Sequence, residues 1–345
     1  METKTFKDLE SGVWAADLCS GCGACVAVCP ADALRFAPGK TTTPVNIGYC
    51  KAETDGVSCG ACYAACPRVD LASQGEMLGS YREIVAARSV LPVEQRQSGG
   101  AVTAILASAL EEGLIDAVVT VTADPWTMKP SSAVITSSEV LVRHAGSRYS
   151  WWVPLLASLK EAAITRKYRR IAVVGVPCVA RATQMIRAGD HDLLRPYAKA
   201  IRLVIGLFCT EIFDYANLIE GKLQSEHRID PWEIRRLDVK GKLDVYLQDE
   251  RHISIPLADL EESVRPGCRV CTDFTAVSAD ISAGAVGSPE GYTTLIVRND
   301  IGSGFVDHAV RRGKLATDGS IDLAAVERLA RKKAQRRKKA QRQAE

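Results

Sequence analysis

The sequence predicts an α+β protein in two unequal parts, a short cysteine-rich amino-terminal module and a larger α/β body built on a mixed sheet. Three observations lead there. Eight of the twelve cysteines fall before residue 67, in two tight groups. From Tyr81 onward, strand-like and helix-like segments alternate, the pattern of an α/β body. Between the two parts runs a polar, glycine-containing stretch over 70–79 that reads as a linker. The expected division is therefore a module over 1–70, a linker over 71–80, a body over 81–320 and a basic helical or disordered tail over 321–345.

The first cysteine group reads Cys19-x-x-Cys22-x-x-Cys25-x-x-x-Cys29-Pro30, the spacing that wraps a 4Fe–4S cluster in bacterial-type ferredoxins. The second, Cys50 and then Cys59-x-x-Cys62-x-x-x-Cys66-Pro67, is the same run with its first cysteine displaced upstream. A disulfide framework is disfavoured because no signal-peptide pattern precedes these cysteines and a chain of 345 residues needs no staples. A zinc ribbon would use two CxxC pairs instead. In two-cluster ferredoxins the fourth cysteine of each run crosses to the other cluster. The expected sets are thus Cys19, Cys22, Cys25 with Cys66, and Cys59, Cys62, Cys29 with Cys50. Small residues between ligands, Gly21, Gly23, Ala24, Gly60 and Ala61, let backbone amides approach the sulfides.

In the body, 81–88 reads as a short strand, Gln97-Ser98-Gly99-Gly100 as a turn, 101–112 as an amphipathic helix and 114–123 as a buried strand. Residues 151–163 read as a helix, 170–176 as a strand entering the turn Pro177-Cys178, 179–187 as a helix and 201–209 as a strand. Two β-patterned runs within 237–257 flank Asp249-Glu250, a hairpin signal. A Gly-rich loop over 284–291 precedes a strand over 292–298. The composition, 47% hydrophobic and 25% charged, is that of an ordinary globular protein. A net charge of +3 supplies no argument for a nucleic-acid partner. No apolar run approaches the roughly 18–20 residues that span a bilayer. Residues 331–345 carry eight Lys or Arg and read as a solvated tail, with docking to an acidic partner or anionic lipid as the functional alternative.

Cys178 and Cys209 each end a predicted strand, where open α/β sheets hold ligands, and Cys268-x-x-Cys271 lies in a loop after the hairpin. Together they would close a third 4Fe–4S site. The alternatives are that Cys178 and Cys209 are inert buried thiols and that the CxxC pair binds zinc or nothing. Ser98-Gly99-Gly100 opens a helix, so its free amides and dipole suit a pyrophosphate, and 284–291 would make a second anion nest. Neither is the GxGxxG fingerprint, and a plain structural turn is the competing reading. A flavin would link a hydride carrier to one-electron clusters, because it accepts two electrons and releases them singly.

At these residues the chain resembles the family of beta subunits of the coenzyme F420 hydrogenases and dehydrogenases, proteins of methanogens that use an 8-hydroxy-5-deazaflavin. Beyond the cysteine runs, the resemblance rests on Tyr81-Arg-Glu-Ile-Val-Ala-Ala-Arg88, Gln97-Ser-Gly-Gly100, Gly146-Ser-Arg-Tyr-Ser150, Val176-Pro-Cys178 and Phe208-Cys-Thr-Glu211. It continues through Lys240-Gly-Lys242, Cys268-Arg-Val-Cys-Thr-Asp273, Ala279-Asp-Ile-Ser282 and Gly287-Ser-Pro289. Ser98, Val179 and Thr210 depart from the residues common in the family at those places. Within the family, a two-cluster ferredoxin part at the amino terminus is most like the electron-input subunit of the F420H2 dehydrogenase of methanogens.

The resemblance implies an α/β FAD-binding domain with non-covalent FAD and a third 4Fe–4S cluster on Cys178, Cys209, Cys268 and Cys271. Its implied FAD contacts are Ser98, Gly99, Gly100, Thr103, Ser147, Tyr149, Gly287 and Ser288. Lys240 and Lys242 would meet the acidic tail of coenzyme F420, or else are solvated hairpin lysines. The implied function is hydride exchange between coenzyme F420 and FAD, with single electrons passing through three 4Fe–4S clusters to or from a partner redox subunit. No side chain need act as nucleophile or acid. That partner would belong to a dehydrogenase, hydrogenase, formate dehydrogenase or heterodisulfide reductase complex. Alternatives are the F420-linked beta subunit of a formate dehydrogenase or hydrogenase, a reductase similar to hydroxymethyl-chlorophyll reductase, and a flavin-free polyferredoxin. Oxygen-sensitive clusters point to a reducing cytoplasm, with a peripheral place on the cytoplasmic side of a membrane complex also compatible.

Overall fold

The computed structural model describes residues 3–37, 43–70, 77–152 and 154–344, with side chains to residue 335. The amino-terminal module is a near-repeat set by two glycines. Gly23 and Gly60, at φ +78° and +91°, cap the short helices α2 (Ala24–Val28) and α4 (Ala61–Ala64) in a left-handed conformation that only glycine adopts without strain. Each helix thereby presents its third-in-line cysteine, Cys25 or Cys62, on an equivalent turn. Ahead of the repeat, Thr5 caps α1 (Phe6–Leu9), which runs into a wide turn at Glu10–Trp14. Leu9, Val13 and Trp14 pack onto Cys25, Leu34 and Cys66. Between the two halves, β1 (Leu34–Arg35) pairs antiparallel with β2 (Val45–Asn46), and α3 (Lys51–Asp55) occupies the extra residues between Cys50 and Cys59.

Of the expected linker, residues 71–76 lie outside the described residues. Its end is tied to the body, since Arg298 Nη1 donates to Leu78 O at 2.7 Å and Ser80 O at 3.1 Å.

The body follows in the order β3 (Glu83–Ser89), α5 (Ala101–Glu111), β4 (Ala117–Ala123), β5 (Pro130–Ile135), α6 (Ser138–Arg143) and β6 (Ser150–Trp151). Next come β7 (Ile171–Gly175), α7 (Pro177–Ala188), α8 (Arg195–Ala200), β8 (Ile201–Leu207) and β9 (Phe213–Asp214). A small antiparallel sheet, β10 (Ile234–Val239), β11 (Lys242–Leu247) and β12 (His252–Pro256), is inserted before α9 (Pro266–Arg269). The chain closes with β13 (Ile281–Gly284), β14 (Thr293–Val297), α10 (Asp300–Arg311), β15 (Leu315–Thr317) and α11 (Leu323–Ala344). Eight strands form one mixed sheet in the order β15-β3-β14-β13-β8-β7-β4-β5. Its centre, β13, β8, β7 and β4, is parallel, and both flanks are antiparallel.

The parallel strands are apolar on both faces, as a sheet covered on two sides requires. Val118, Ala172, Leu203 and Ile205 face α5 and α10. Val119, Val173, Ile201 and Val204 face α7 and α8, in one core that also contains Cys22, Ala24, Ala27, Val28, Ala61 and Ala65 of the amino-terminal module. The module is therefore packed directly against the body. The inserted sheet keeps its own core of Leu243, Val245, Leu247 and Ile255 over the helical turn Ala216–Glu226.

Three local expectations change. Residues 151–163 are no continuous helix: Trp151 pairs with Asp214 in a two-residue parallel ladder, Pro154 follows, and helical geometry resumes only near Leu159. Pro177-Cys178 is the first turn of α7, because proline is preorganised for that position. The small sheet has three strands, since Lys240-Gly241 makes a second hairpin with Gly241 at φ +79°.

Asp280, at the start of β13, knots the sheet to the flanking helices. Its carboxylate takes Arg187 Nη1 at 2.7 Å and Nη2 at 3.2 Å, the Val204 amide at 2.8 Å and Asn299 Nδ2 at 2.8 Å, while 2% exposed. Asp280→Ala would leave the guanidinium and the amide without their acceptor, at a cost of roughly 3–5 kcal/mol. Thermal unfolding of the anaerobically purified variant, followed by circular dichroism, should show a midpoint lowered by several degrees.

Candidate redox centre

The twelve cysteines assemble into three groups. Cys25 is pushed well above the usual thiol value by burial and then by Cys66, Cys22 and Cys19. Cys66 is pushed up to about 12 by burial, with Cys22 and Cys19 adding to it. Cys62 also rises to about 12, through burial and the nearby Cys29, Cys59 and Cys50. Cys29 changes groups because it ends α2 in an extended conformation. The third group gathers at the carboxyl ends of β7 and β8. Cys178 lies in the first turn of α7, Cys209 follows β8 with its amide bonded to Phe274 O at 3.0 Å, and α9 supplies Cys268 with Cys271 just beyond. Burial pushes Cys209 up to about 12, with Cys268 and Cys271 nearby. Among the described residues, no three His, Cys, Asp or Glu side chains converge as on a single metal ion.

The first and third groups are neighbours. Cys178 packs against the core that contains Cys22 of the amino-terminal module, and burial, with Cys22 next, pushes its thiol well above the usual value. A seam of hydrogen bonds to module carbonyls holds them together. Trp151 Nε1 donates to Gly21 O at 2.9 Å, Leu156 N to Cys22 O at 2.9 Å and Tyr197 Oη to Ala27 O at 2.9 Å. Farther along, Lys160 Nζ donates to Cys29 O at 2.5 Å and His191 Nε2 to Cys59 O at 3.0 Å. In the other direction, Arg68 Nη2 donates to Gly267 O at 2.9 Å.

Sequence reasoning missed three cations at this seam. Arg68, Arg265 and Lys333 are 4%, 1% and 2% exposed. Arg68 lies among Cys271, Cys178 and Cys268, and its Nε and Nη1 meet no oxygen acceptor. Arg265 stacks 3.8 Å from the centroid of Trp151, and burial pulls its guanidinium down while Cys19, Cys268, Asp214 and Cys178 act against that. Lys333 comes from α11, the segment expected to be a solvated tail. Burial pulls its ammonium down, but the neighbouring Cys271, Cys209, Cys268 and Asp273 outweigh that and hold it above the usual lysine value. Cys271 responds in kind: burial raises its thiol, yet Lys333 and Arg68 bring it below the ordinary value. Buried cations gathered around thiols, one of them with donors to spare, are the complement of an anionic cluster and its thiolates, so the residues present fit 4Fe–4S groups. The sequence signals were faint. Arg68 directly follows Cys66-Pro67, and Lys333 sits seven residues after Val326, on the helix stripe that Val326 and Ala330 bury against Phe274.

Several of the residues named for a flavin are joined by direct contacts. Gly99 is pressed so close to β3 and β14 that a Cβ would fall 2.6 Å from Thr293 N, and Ser98 Oγ is 3.0 Å from Thr293 Oγ1. Gly100 caps α5, with Thr103 half-buried in its first turn. Gly146 approaches Gln95 O to 2.9 Å at the position of a Cβ, joining the 146–149 segment to that turn. Tyr149 is pushed up by burial and by Asp238 and hydrogen-bonds with Ser147. Between Ser147 and Tyr149 lies a further missed residue, Arg148, which is pulled down by burial alone and whose Nε lacks a hydrogen-bond partner. Gly287 and Ser288 occupy the β13–β14 hairpin. A Cβ on Gly287 would meet Val326 Cγ2 of α11 at 2.7 Å, and Ser288 Oγ donates to Tyr292 O at 3.1 Å. Lys240 and Lys242 are exposed and paired with Asp238 at 3.2 Å and Asp244 at 3.3 Å.

Three family models match the chain: the 4Fe-4S dicluster domain over 18–69, and the N-terminal and C-terminal parts of the coenzyme F420 hydrogenase/dehydrogenase beta subunit over 84–160 and 168–322. An uncharacterised protein of Methanocaldococcus jannaschii is 41% identical across 97% of this chain and 99% of its own length. A component of the F420H2 dehydrogenase of Methanosarcina mazei is 33% identical across 91% of this chain and 88% of its own. Among solved structures, a chain of the F420-reducing [NiFe] hydrogenase complex from Methanosarcina barkeri matches with a TM-score of 0.70 and 30% identity, covering 76% of this chain and 92% of that one.

Gly267 carries Arg68's acceptor and lies so close to Cys19 that a Cβ would overlap the Cys19 carbonyl. Gly267→Ala should force the module off the body while every cysteine is retained. Limited proteolysis under anaerobic conditions should degrade the amino-terminal module faster than in the parent protein.

Proposed function

The chain belongs to the family of beta subunits of the coenzyme F420 hydrogenases and dehydrogenases, and on that premise we propose an iron–sulfur flavoprotein that exchanges a hydride with coenzyme F420 and single electrons with a partner subunit. At the coarser level it is an F420-linked iron–sulfur oxidoreductase subunit with an amino-terminal 4Fe–4S dicluster domain. The observation that carries the finer reading is the contiguity of the first and third cysteine groups, with Cys22 against Cys178 and Arg68 between them. Bound FAD would convert the two-electron hydride into one-electron steps, and three 4Fe–4S clusters would carry those onward.

The protein's own residues hold and orient. In this proposal Cys19, Cys22, Cys25 and Cys66 ligate one cluster, Cys29, Cys50, Cys59 and Cys62 the second, and Cys178, Cys209, Cys268 and Cys271 the third. Ser98, Gly99, Gly100 and Thr103 offer the amino terminus of α5 to the FAD phosphates, and Arg148 contributes the cation that this site lacks on the turn itself. Ser147, Tyr149, Gly287 and Ser288 flank the same surface. Lys240 and Lys242 receive the acidic tail of coenzyme F420, each already neutralised in part by an aspartate, so their contribution to affinity is small and salt-sensitive. Rate then rests on positioning the two ring systems and not on a side-chain acid or base.

Arg148→Gln should weaken FAD binding about tenfold or more, the loss expected for a buried charged hydrogen bond, while leaving cluster absorbance intact. Fluorescence titration of the flavin-stripped protein reads this directly. Retained affinity would move the phosphate site away from the 98–100 turn.

The donor is tested by anaerobic reduction of a one-electron dye. Reduced coenzyme F420 should support turnover, and NADH or NADPH should not, since no GxGxxG followed by a ribose-binding acid is present. Turnover with a nicotinamide at an equal or higher rate would overturn the assignment.

A further inference from the structure

We infer that Lys333, on the buried stripe of α11, is the fixed counter-cation of the inner four-cysteine site and holds up the reduction potential of the cluster there. The inference rests on reading Cys178, Cys209, Cys268 and Cys271 as cluster ligands. Three observations carry it. First, Lys333 occupies an apolar position: with Val326 and Ala330 it forms the side of α11 that packs on Phe274, Phe208 and Leu78. A lysine placed there must bury its ammonium at a cost of several kcal/mol unless charge compensates.

Second, its partners are few. Lys333 Nζ donates to the backbone carbonyl of Cys209 at 2.6 Å, and among the described residues it forms no ion pair with a carboxylate. The acid that acts on it, Asp273, is itself buried and already accepts from Ala276 N at 2.8 Å and Val277 N at 3.1 Å. The ammonium is buried against the backbone of Cys209, one of the four inner cysteines.

Third, the site has cations on two sides. Arg68, from the amino-terminal module, lines one cavity with Cys178 and Cys271 and bonds Gly267 O beside Cys268 at 2.9 Å, and Lys333, from the carboxyl-terminal helix, bonds the carbonyl of Cys209. A 4Fe–4S cluster with four thiolates is a dianion that becomes a trianion on reduction. A positive charge held close by in a poorly screened interior therefore stabilises the reduced form more than the oxidised one. Lys333 thus acts as a positioning and tuning residue, through charge, on a group it does not ligate.

The experiment uses the full chain, purified anaerobically, as Lys333→Met and Lys333→Arg. Redox titration monitored by electron paramagnetic resonance reads each centre, and the inner one is the signal lost in Cys268→Ser. At the potential that half-reduces the inner centre of the parent, Lys333→Met should show a reduced-to-oxidised ratio lower by about tenfold, equivalent to about 59 mV for one electron. Lys333→Arg should stay within about twofold of the parent, and the two outer centres should not move. Loss of inner-cluster iron in Lys333→Met but not in Lys333→Arg would equally support a requirement for charge. An unchanged inner midpoint in Lys333→Met, or equal loss of iron in both variants, would overturn the inference. A parent protein with about eight irons in place of the about twelve that three clusters need, or a Cys268→Ser variant with full iron content, would sink the inner-cluster reading itself.

Discussion

The constraint on which the rest of the structure depends is the seam that sets the cysteine-rich module against the carboxyl ends of β7 and β8. Electron exchange falls steeply with distance, so a module on a loose tether would be of little use to a site inside the body. Here the two parts share one apolar core, in which Cys22, Ala24 and Ala61 touch residues of the central sheet, α7 and α8. Small side chains make this possible. Alanines and glycines between the cysteines allow the backbone to come close, and the body then hydrogen-bonds to carbonyls of the cysteine runs themselves. These bonds hold the runs by their main chain and not by their thiols.

The seam also solves a problem of charge. Thiols buried this deeply resist ionisation, as the raised values of Cys25, Cys66 and Cys209 show. Yet cluster ligands are thiolates. Three cations drawn from distant parts of the chain, Arg68, Arg265 and Lys333, are buried at the same place. Each would be costly alone, and each complements the anionic group its neighbours are suited to hold. The inner cysteines and these cations therefore depend on one another, and the folded body with its terminal helix is what brings them together.

Away from the seam, the sheet's flank presents a different chemistry. The turn at Ser98–Gly100, the segment around Arg148 and the β13–β14 hairpin are linked by contacts through Thr293 and Gln95. Backbone amides and one under-partnered guanidinium stand here in place of the cysteine groups at the seam, donors of the kind that suit phosphate oxygens. The helix α11 reaches both regions. Val326 covers Gly287, and Lys333 enters the inner cysteine site seven residues later.

By itself the sequence determined the local chemistry: the cysteine spacings, the left-handed glycine turns, the alternation of strands and helices, and the Gly-rich entry to α5. These are readable because they depend on residues within a few positions of one another, where backbone geometry leaves little choice. It misjudged 151–163, because the pull of Trp151 toward Gly21 and Asp214 is a contact across 130 and 63 residues respectively. Likewise only faint local signals mark Arg68, Arg148 or Lys333 as members of a site. A lysine in a basic run looks solvated until the helix that carries it is docked, and only then does one position of that run face inward. The tertiary structure decided which cations are buried and which cysteine groups are neighbours, because burial and proximity belong to packing and are not properties of any single segment.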